Sequence, residues 1–457
     1  MLVIIGLVLS FCLGFSVISA ISHRFSLVGK IGLSFIVGTG IQTMLMVLLD
    51  LCSIPITVTS VFLLSFAVMF VSTYLCCKKK NDFIESLRSL SLKNINYRQF
   101  TVLWLIILGI LVYFEFLNFE KCIYFPTFDR DSIVGFDFMG KIVANEHTIR
   151  RSSYALDLAT SLNRGANYVY YTPLVHLSYA YVYLLGAESS KLINALFYLS
   201  FIISFYAALR NRLVPTMAIS ATLFTVLVPE YIAFSSMSAT NAIHATYSSL
   251  AVIYAWLYFE TNERRYFITA ILLSMLGIWT RQEGIVFIAA IALILLIKAV
   301  GTGRFKDLTV YFTVGISPFI FWLIYLKIFD IGSQSESMNL LPFWDTVKAK
   351  TIYSMLLGLL KNTTFYGLTF IASGIALLIS LYFIVKSKKS YEMPLMFFTA
   401  LLTFCLLVYQ VEYNWDSLEN VMQYSVKRFL FCFVPIAWAF VFVNPVMLKL
   451  NDYINKL

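Results

Sequence analysis

Two acids separated by a single residue, Asp129 and Asp131 in Phe128-Asp129-Arg130-Asp131, open the most polar stretch of the sequence. An apolar run at 101–119 ends just before them, so either carboxylate stands within a few residues of a membrane surface. A carboxylate there can take the proton of an acceptor hydroxyl. Most acids near helix ends are only solvated, but charge this dense in a charge-poor chain points to chemistry. Three basic residues, Lys191, Arg281 and Arg428, stand at helix ends on the same side. Arg offers a planar fork to a phosphate. The bland alternative is snorkelling at the interface. His176 follows Tyr170-Tyr171-Thr172-Pro173-Leu174, and no second His or Cys lies at metal-ligand spacing, so no structural zinc site is expected.

The elements that must position these residues follow from composition. Of the 457 residues, 60% are hydrophobic and only 13% charged. An ordinary soluble domain is about 45–50% apolar and about 25% charged. Disorder is excluded, and too few charges remain to cover a soluble core of this size. The chain reads as an all-α polytopic membrane protein. Seven cysteines show neither C-x-x-C spacing nor the density of a disulfide scaffold. Net charge is +10, but its distribution matters more than its total, and nucleic acid is not an expected partner.

A spanning helix needs about 20 mostly apolar residues. About thirteen such spans are expected, near 1–21, 31–50, 55–76, 101–119, 191–209, 214–229, 242–259, 266–281, 284–299, 309–328, 365–385, 393–410 and 427–445. The first lacks a basic leader and a small-residue cleavage site, so it reads as a retained helix. One set of connections carries 20 of the 34 Lys and Arg residues with few acids, and should be cytoplasmic. That places the N-terminus outside and the C-terminus inside. The run 173–186 is short, and counting it as a span would invert every later basic loop. It therefore reads as an interfacial or re-entrant external helix. No internal repeat is visible, which weakens a transporter reading. The organisation is three N-terminal helices (1–77), a cytoplasmic connection (78–100) and a membrane module (101–457) with a large external loop at 120–190.

Taken together these segments resemble the C-type glycosyltransferase superfamily, which includes the protein O-mannosyltransferases and the lipid A aminoarabinose transferases. Four motifs carry the resemblance, in order over 101–445. They are Phe128-Asp129-Arg130-Asp131 with Phe136 and Lys141, then Tyr170-Tyr171-Thr172-Pro173-Leu174, Thr280-Arg281-Gln282-Glu283-Gly284, and Arg428-Phe429-Leu430 with Pro435. The acidic pair common in relatives is replaced by Phe-Asp-Arg-Asp, leaving Asp129 and Asp131 as alternative bases; the distance to Lys141 favours Asp131. Arg281 stands where Lys is frequent.

The resemblance implies juxtamembrane helices in the first external loop and inverting transfer of a sugar from a polyprenyl phosphate on the extracytoplasmic face. In that reaction Arg281, Arg428 and Lys191 hold the departing phosphate, and Tyr170, Tyr171, His176, Glu283 and Lys141 contact substrate. Some members use a divalent metal; Asp129 and Asp131 are where one would bind, and two carboxylates are too few to require it. The acceptor is a glycan, a lipid or a protein hydroxyl, and a bacterial plasma membrane is the favoured location. The rivals are a lipid-linked glycan transporter or flippase, which would place ionisable residues along a path at mid-bilayer depth, and a polysaccharide polymerase or ligase.

Overall fold

Every expected span is helical. The computed structural model describes residues 1–78, 100–153, 155, 170–303, 305–331, 344–387, 391–411 and 417–455. In chain order the principal helices are α1 (Leu2–Ile21), α2 (Leu27–Leu51), α3 (Val58–Lys78), α4 (Val102–Tyr124), α5 (Asp137–Glu146), α6 (Leu174–Leu184), α7 (Lys191–Leu209), α8 (Pro215–Val226) and α9 (Pro229–Phe234). They continue with α10 (Thr240–Thr261), α11 (Arg264–Thr280), α12 (Ile285–Thr302), α13 (Lys306–Ile328), α14 (Thr346–Lys361), α15 (Thr369–Ser387), α16 (Glu392–Gln410), α17 (Leu418–Val443) and α18 (Pro445–Ile454). Ten helices among the described residues are long and apolar enough to cross a membrane.

The other three expected spans differ for local reasons. Pro229 has no amide hydrogen and keeps Val228 out of helical geometry, so the expected span 214–229 is only the 12-residue α8 followed by α9. α11 has 17 residues. α10 has 22, but Asn241, His244, Thr246, Ser248 and Ser249 make it polar; they are all buried against neighbours, not lipid. α6, with 11 residues, rises about 16 Å and cannot cross a core of about 30 Å. Its residues from Leu174 to Val182 are all buried inside the protein.

Helix ends carry local signals. Ser26 and Thr101 cap α2 and α4 by accepting from the amides of Gly29 (3.1 Å) and Trp104 (3.2 Å). Asn262 closes α10 in the left-handed region at φ 57°. At one end of the bundle lie the turns with Arg24, Arg212, Arg264 and Arg265, where Arg264 pairs with Asp307 at 2.6 Å and Arg212 with Glu260. The opposite end gathers the segments after α4, α11 and α13 and the start of α17.

The N-terminal helices are bound into this body. α2 is the most buried of them, and α1 crosses it where Gly14 meets Gly38. The Tyr247 hydroxyl donates to the Ile36 carbonyl (2.6 Å), and Trp279 Nε1 to Thr43 Oγ1 (3.1 Å). Most of the connection at 78–100 lies outside the described residues. A methyl group on Gly38 would run into the Ser10 carbonyl oxygen and stand 2.9 Å from the Gly14 amide. Gly38→Ala should therefore cost about 1–3 kcal/mol through forced separation of α1 from α2, read as a lower melting temperature in detergent. An unchanged melting temperature would show that the crossing relaxes freely.

Candidate active site

The chain leaves α4 at Phe125 and re-enters helix through a wide turn at Ser132–Phe136 before α5. The two acids ahead of that turn part company. Asp129 Oδ2 accepts from both the amide and the hydroxyl of Ser132, each at 3.3 Å, and so closes the first turn. Asp131 pairs with Arg428 Nη1, 297 residues further along. Arg428 itself follows the second wide turn of the described residues, Met422–Val426. Such turns carry one residue more than an α-helical turn and are frequent at functional sites. The Arg428 backbone is fixed, its carbonyl accepting from Asn241 Nδ2 (3.3 Å). Its neighbour Lys427 reaches the other way, to Glu230 (2.9 Å) and over the Phe365 ring (4.1 Å).

A second ion pair sits beside the first. Arg281 ends α11 in extended geometry, and its guanidinium grips Glu283 through Nη2–Oε1 (2.6 Å) and Nε–Oε2 (3.3 Å). Nη1 also donates to Thr240 Oγ1 at 3.3 Å. The turn between them requires Gly284, since a Cβ there would stand 2.9 Å from the Ile278 backbone. Tyr171 lies between the two pairs. The Arg281 guanidinium is 5.9 Å from its ring centroid, Phe136 packs edge-on at 5.4 Å, and its hydroxyl is in electrostatic reach of Arg281, Glu283, Asp131 and Arg428. Burial pushes that hydroxyl above its usual pKa against the pull of the two guanidiniums, so it stays a neutral donor. Side chains of the four charged residues are 16–30% exposed, so a ligand can reach them.

The remaining expected site residues surround this cluster without joining it. The Tyr170 carbonyl accepts from Trp322 Nε1 (3.1 Å), fixing the turn into α6. Lys141 pairs with Asp137 (3.1 Å) and lies over the Tyr183 ring at 5.3 Å, while Asp137 also receives the Tyr183 (2.5 Å) and Ser190 hydroxyls. Lys191 is buried, and its ammonium donates to the carbonyls of Lys121 (3.0 Å) and Phe125 (2.9 Å). There it caps the negative end of α4 and holds the start of the loop that carries Asp131. His176 is fully buried, and neither ring nitrogen has a hydrogen-bond partner among the described residues. Among those residues no group of three or more His, Cys, Asp or Glu side chains is arranged to hold a metal.

Sequence reasoning passed over two acids. Asp50, buried at the end of α2, accepts from the Ile149 amide (2.9 Å), the Thr148 hydroxyl (2.7 Å) and the Tyr325 hydroxyl, tying the external loop to α2 and α13. Its signal was available, for it is the lone acid in the first 81 residues. Glu115 lies within α4, with both carboxyl oxygens buried and unpartnered among the described residues.

Residues 173–326 match the family model described as dolichyl-phosphate-mannose-protein mannosyltransferase. Over that segment the chain is similar to membrane glycosyltransferases of the C type. The matched segment is about a third of the chain and runs from the start of α6 into α13, taking in His176, Lys191, Arg281 and Glu283. Asp131 and Arg428 fall outside it and reach the site through the fold. No curated protein and no solved structure matches the chain.

His176, inside the matched segment, carries a pH signature. Burial pushes its imidazole down to about 3, from about 6.5 when unfolded. Between those values the unfolded chain binds the extra proton, so stability is full above about 6.5 and falls as pH drops towards about 3. Thermal melts should show this loss, and His176→Leu should lose less over the same window. Identical pH profiles would mean that the imidazole is hydrated or hydrogen-bonded in the folded state.

Proposed function

We propose that this glycosyltransferase moves a sugar from a polyprenyl-phosphate donor to an acceptor hydroxyl, with inversion, at the extracytoplasmic end of the bundle. The observation that carries the reading is the convergence of a carboxylate and two guanidiniums, Asp131, Arg428 and Arg281, around Tyr171. The dolichyl-phosphate-mannose donor in the printed name of the matched family points the same way. The charge asymmetry of the connecting segments favours a plasma membrane, with the N-terminus outside, the C-terminus cytoplasmic and the site outside.

In this mechanism the acceptor O–H gives its proton to an Asp131 oxygen as the acceptor oxygen attacks the anomeric carbon. The bond from that carbon to the phosphate oxygen breaks, and the leaving polyprenyl phosphate keeps the electron pair. A single displacement with one base inverts the anomeric centre. Arg281 and Arg428 stabilise the charge growing on the phosphate. Asp131 is the base in preference to Asp129 because Asp129 is spent on closing a helical turn. Tyr171 and Glu283 face the sugar. Tyr170 and Lys141 shape the rim of the substrate site, the fully buried His176 lies behind it, and Lys191 acts from behind by fixing the loop. The acceptor class is a glycan, a glycolipid or a protein hydroxyl.

One observation supports the transporter reading: the unpartnered carboxyl of Glu115 inside α4, since an ionisable group within a span commonly marks a path. A single assay separates the two. Membranes given a radiolabelled polyprenyl-phosphate sugar should transfer label with the wild type, about 10²–10⁴-fold more slowly with Asp131→Asn, and about 10²–10³-fold more slowly with Arg281→Ala. Full transfer by Asp131→Asn would remove Asp131 as the base. Labelled lipid that changes leaflet without transfer would put the transporter ahead.

A further inference from the structure

We infer that the Arg428–Asp131 ion pair is a latch: with no donor bound, Arg428 occupies the base, and the phosphate of the arriving donor takes Arg428 and releases Asp131 for the acceptor. This inference rests on the proposed transferase reading. It assigns an order to binding, donor first and acceptor second.

The geometry supplies each part of the device. Asp131 belongs to the loop after α4, and Arg428 to α17, so the pair bridges two elements that meet at the site. The side chains are 30% and 26% exposed, and ion pairs open to solvent to that extent are worth only about 0–1 kcal/mol, within reach of a competing anion. A phosphate is such an anion, because its oxygens accept two parallel N–H bonds from one guanidinium. The backbone of Arg428 does not need to move. Asn241 holds its carbonyl at 3.3 Å, and the Tyr366 hydroxyl holds the Lys427 carbonyl at 2.6 Å. Only the long side chain swings.

Charge balance favours the exchange. Arg281, Arg428, Asp131 and Glu283 sum to zero, so the four charges compensate one another. The sugar-phosphate diester brings one negative charge. When it draws Arg428 away, the Asp131 carboxylate loses its guanidinium and turns to the acceptor hydroxyl, so its demand for a proton is highest when one is about to be released. After transfer the leaving phosphate monoester carries more negative charge than the diester and holds Arg428 until it departs, whereupon the latch re-forms.

The test is equilibrium binding of farnesyl phosphate, a short polyprenyl phosphate, to the purified full-length chain in nanodiscs, with farnesol as the uncharged comparison. Removing the competitor should help the phosphate, so Asp131→Asn should bind farnesyl phosphate about two- to fivefold more tightly than wild type. Glu230→Gln removes the same unit of charge beside the neighbouring Lys427 and should leave the affinity at the wild-type value. Asp131→Ser replaces Asp131→Asn if the latter does not fold. Equal or weaker binding by the Asp131 variant overturns the latch and leaves the transferase reading standing. An equal gain from Glu230→Gln also overturns it, since the gain would then be a general effect of charge. Failure of every protein to prefer farnesyl phosphate over farnesol overturns the latch and the donor assignment together.

Discussion

A carbonyl or hydroxyl inside a bilayer has no water to bond, so each must find its partner within the protein. That constraint organises this fold. It forces the backbone into helices, and it sends the polar tips of buried aromatics to carbonyls on other helices. Tyr181 reaches Gly6, Tyr247 reaches Ile36 and Tyr366 reaches Lys427. Each of these bonds links segments distant in sequence, and together they stitch α1 and α2 to the later helices. The same constraint shapes the site, where four charges are admitted only as two matched pairs around one tyrosine.

Positioning at the site is delegated to groups one step back. Lys191 caps α4, Asp50 collects three donors from the loop and one from α13, and Asp129 closes the turn ahead of α5. The result is a loop fixed at its entry, middle and far end, leaving Asp131 to face across to α17. The proposed transfer, which aligns a lipid-borne donor with a separate acceptor, would gain from such a frame, because orientation contributes to rate only when it is set in advance.

Much of this was legible in the sequence because charge is scarce. In a chain with so few ionisable residues, Asp131, Arg281 and Arg428 stand out at the ends of apolar runs, and the helices follow from the lengths of those runs. What could not be read was pairing. Spacing to Lys141 favours Asp131 over Asp129, and Ser132 three residues after Asp129 offers it a turn, but the Arg428 partner of Asp131 lies 297 residues away and leaves no local sign. Lys191 looks like a phosphate ligand by type and place, yet its ammonium meets carbonyls at the end of α4. The span expected at 214–229 was read from hydropathy alone, and Pro229, which sets its end, was visible but overlooked. α14 is amphipathic and only 16 residues long, so a search for spanning apolar runs passes over it, although Asp345 ahead of Thr346 marks its start.

The two wide turns have a consequence for how the chain tolerates change. Each houses one residue beyond the ordinary helical count, so the side chains before and after it are out of phase by roughly 100° relative to a straight helix. That phase shift lets Asp131 face Arg428 while Asp137, six residues on, faces Tyr183 and Ser190. Length is therefore information here. A one-residue deletion within 132–136 could heal into regular helix at little structural cost and would still rotate the acid away from its partner. In these turns spacing is as specific as chemical identity, and a gap there would do the work of a substitution at Asp131.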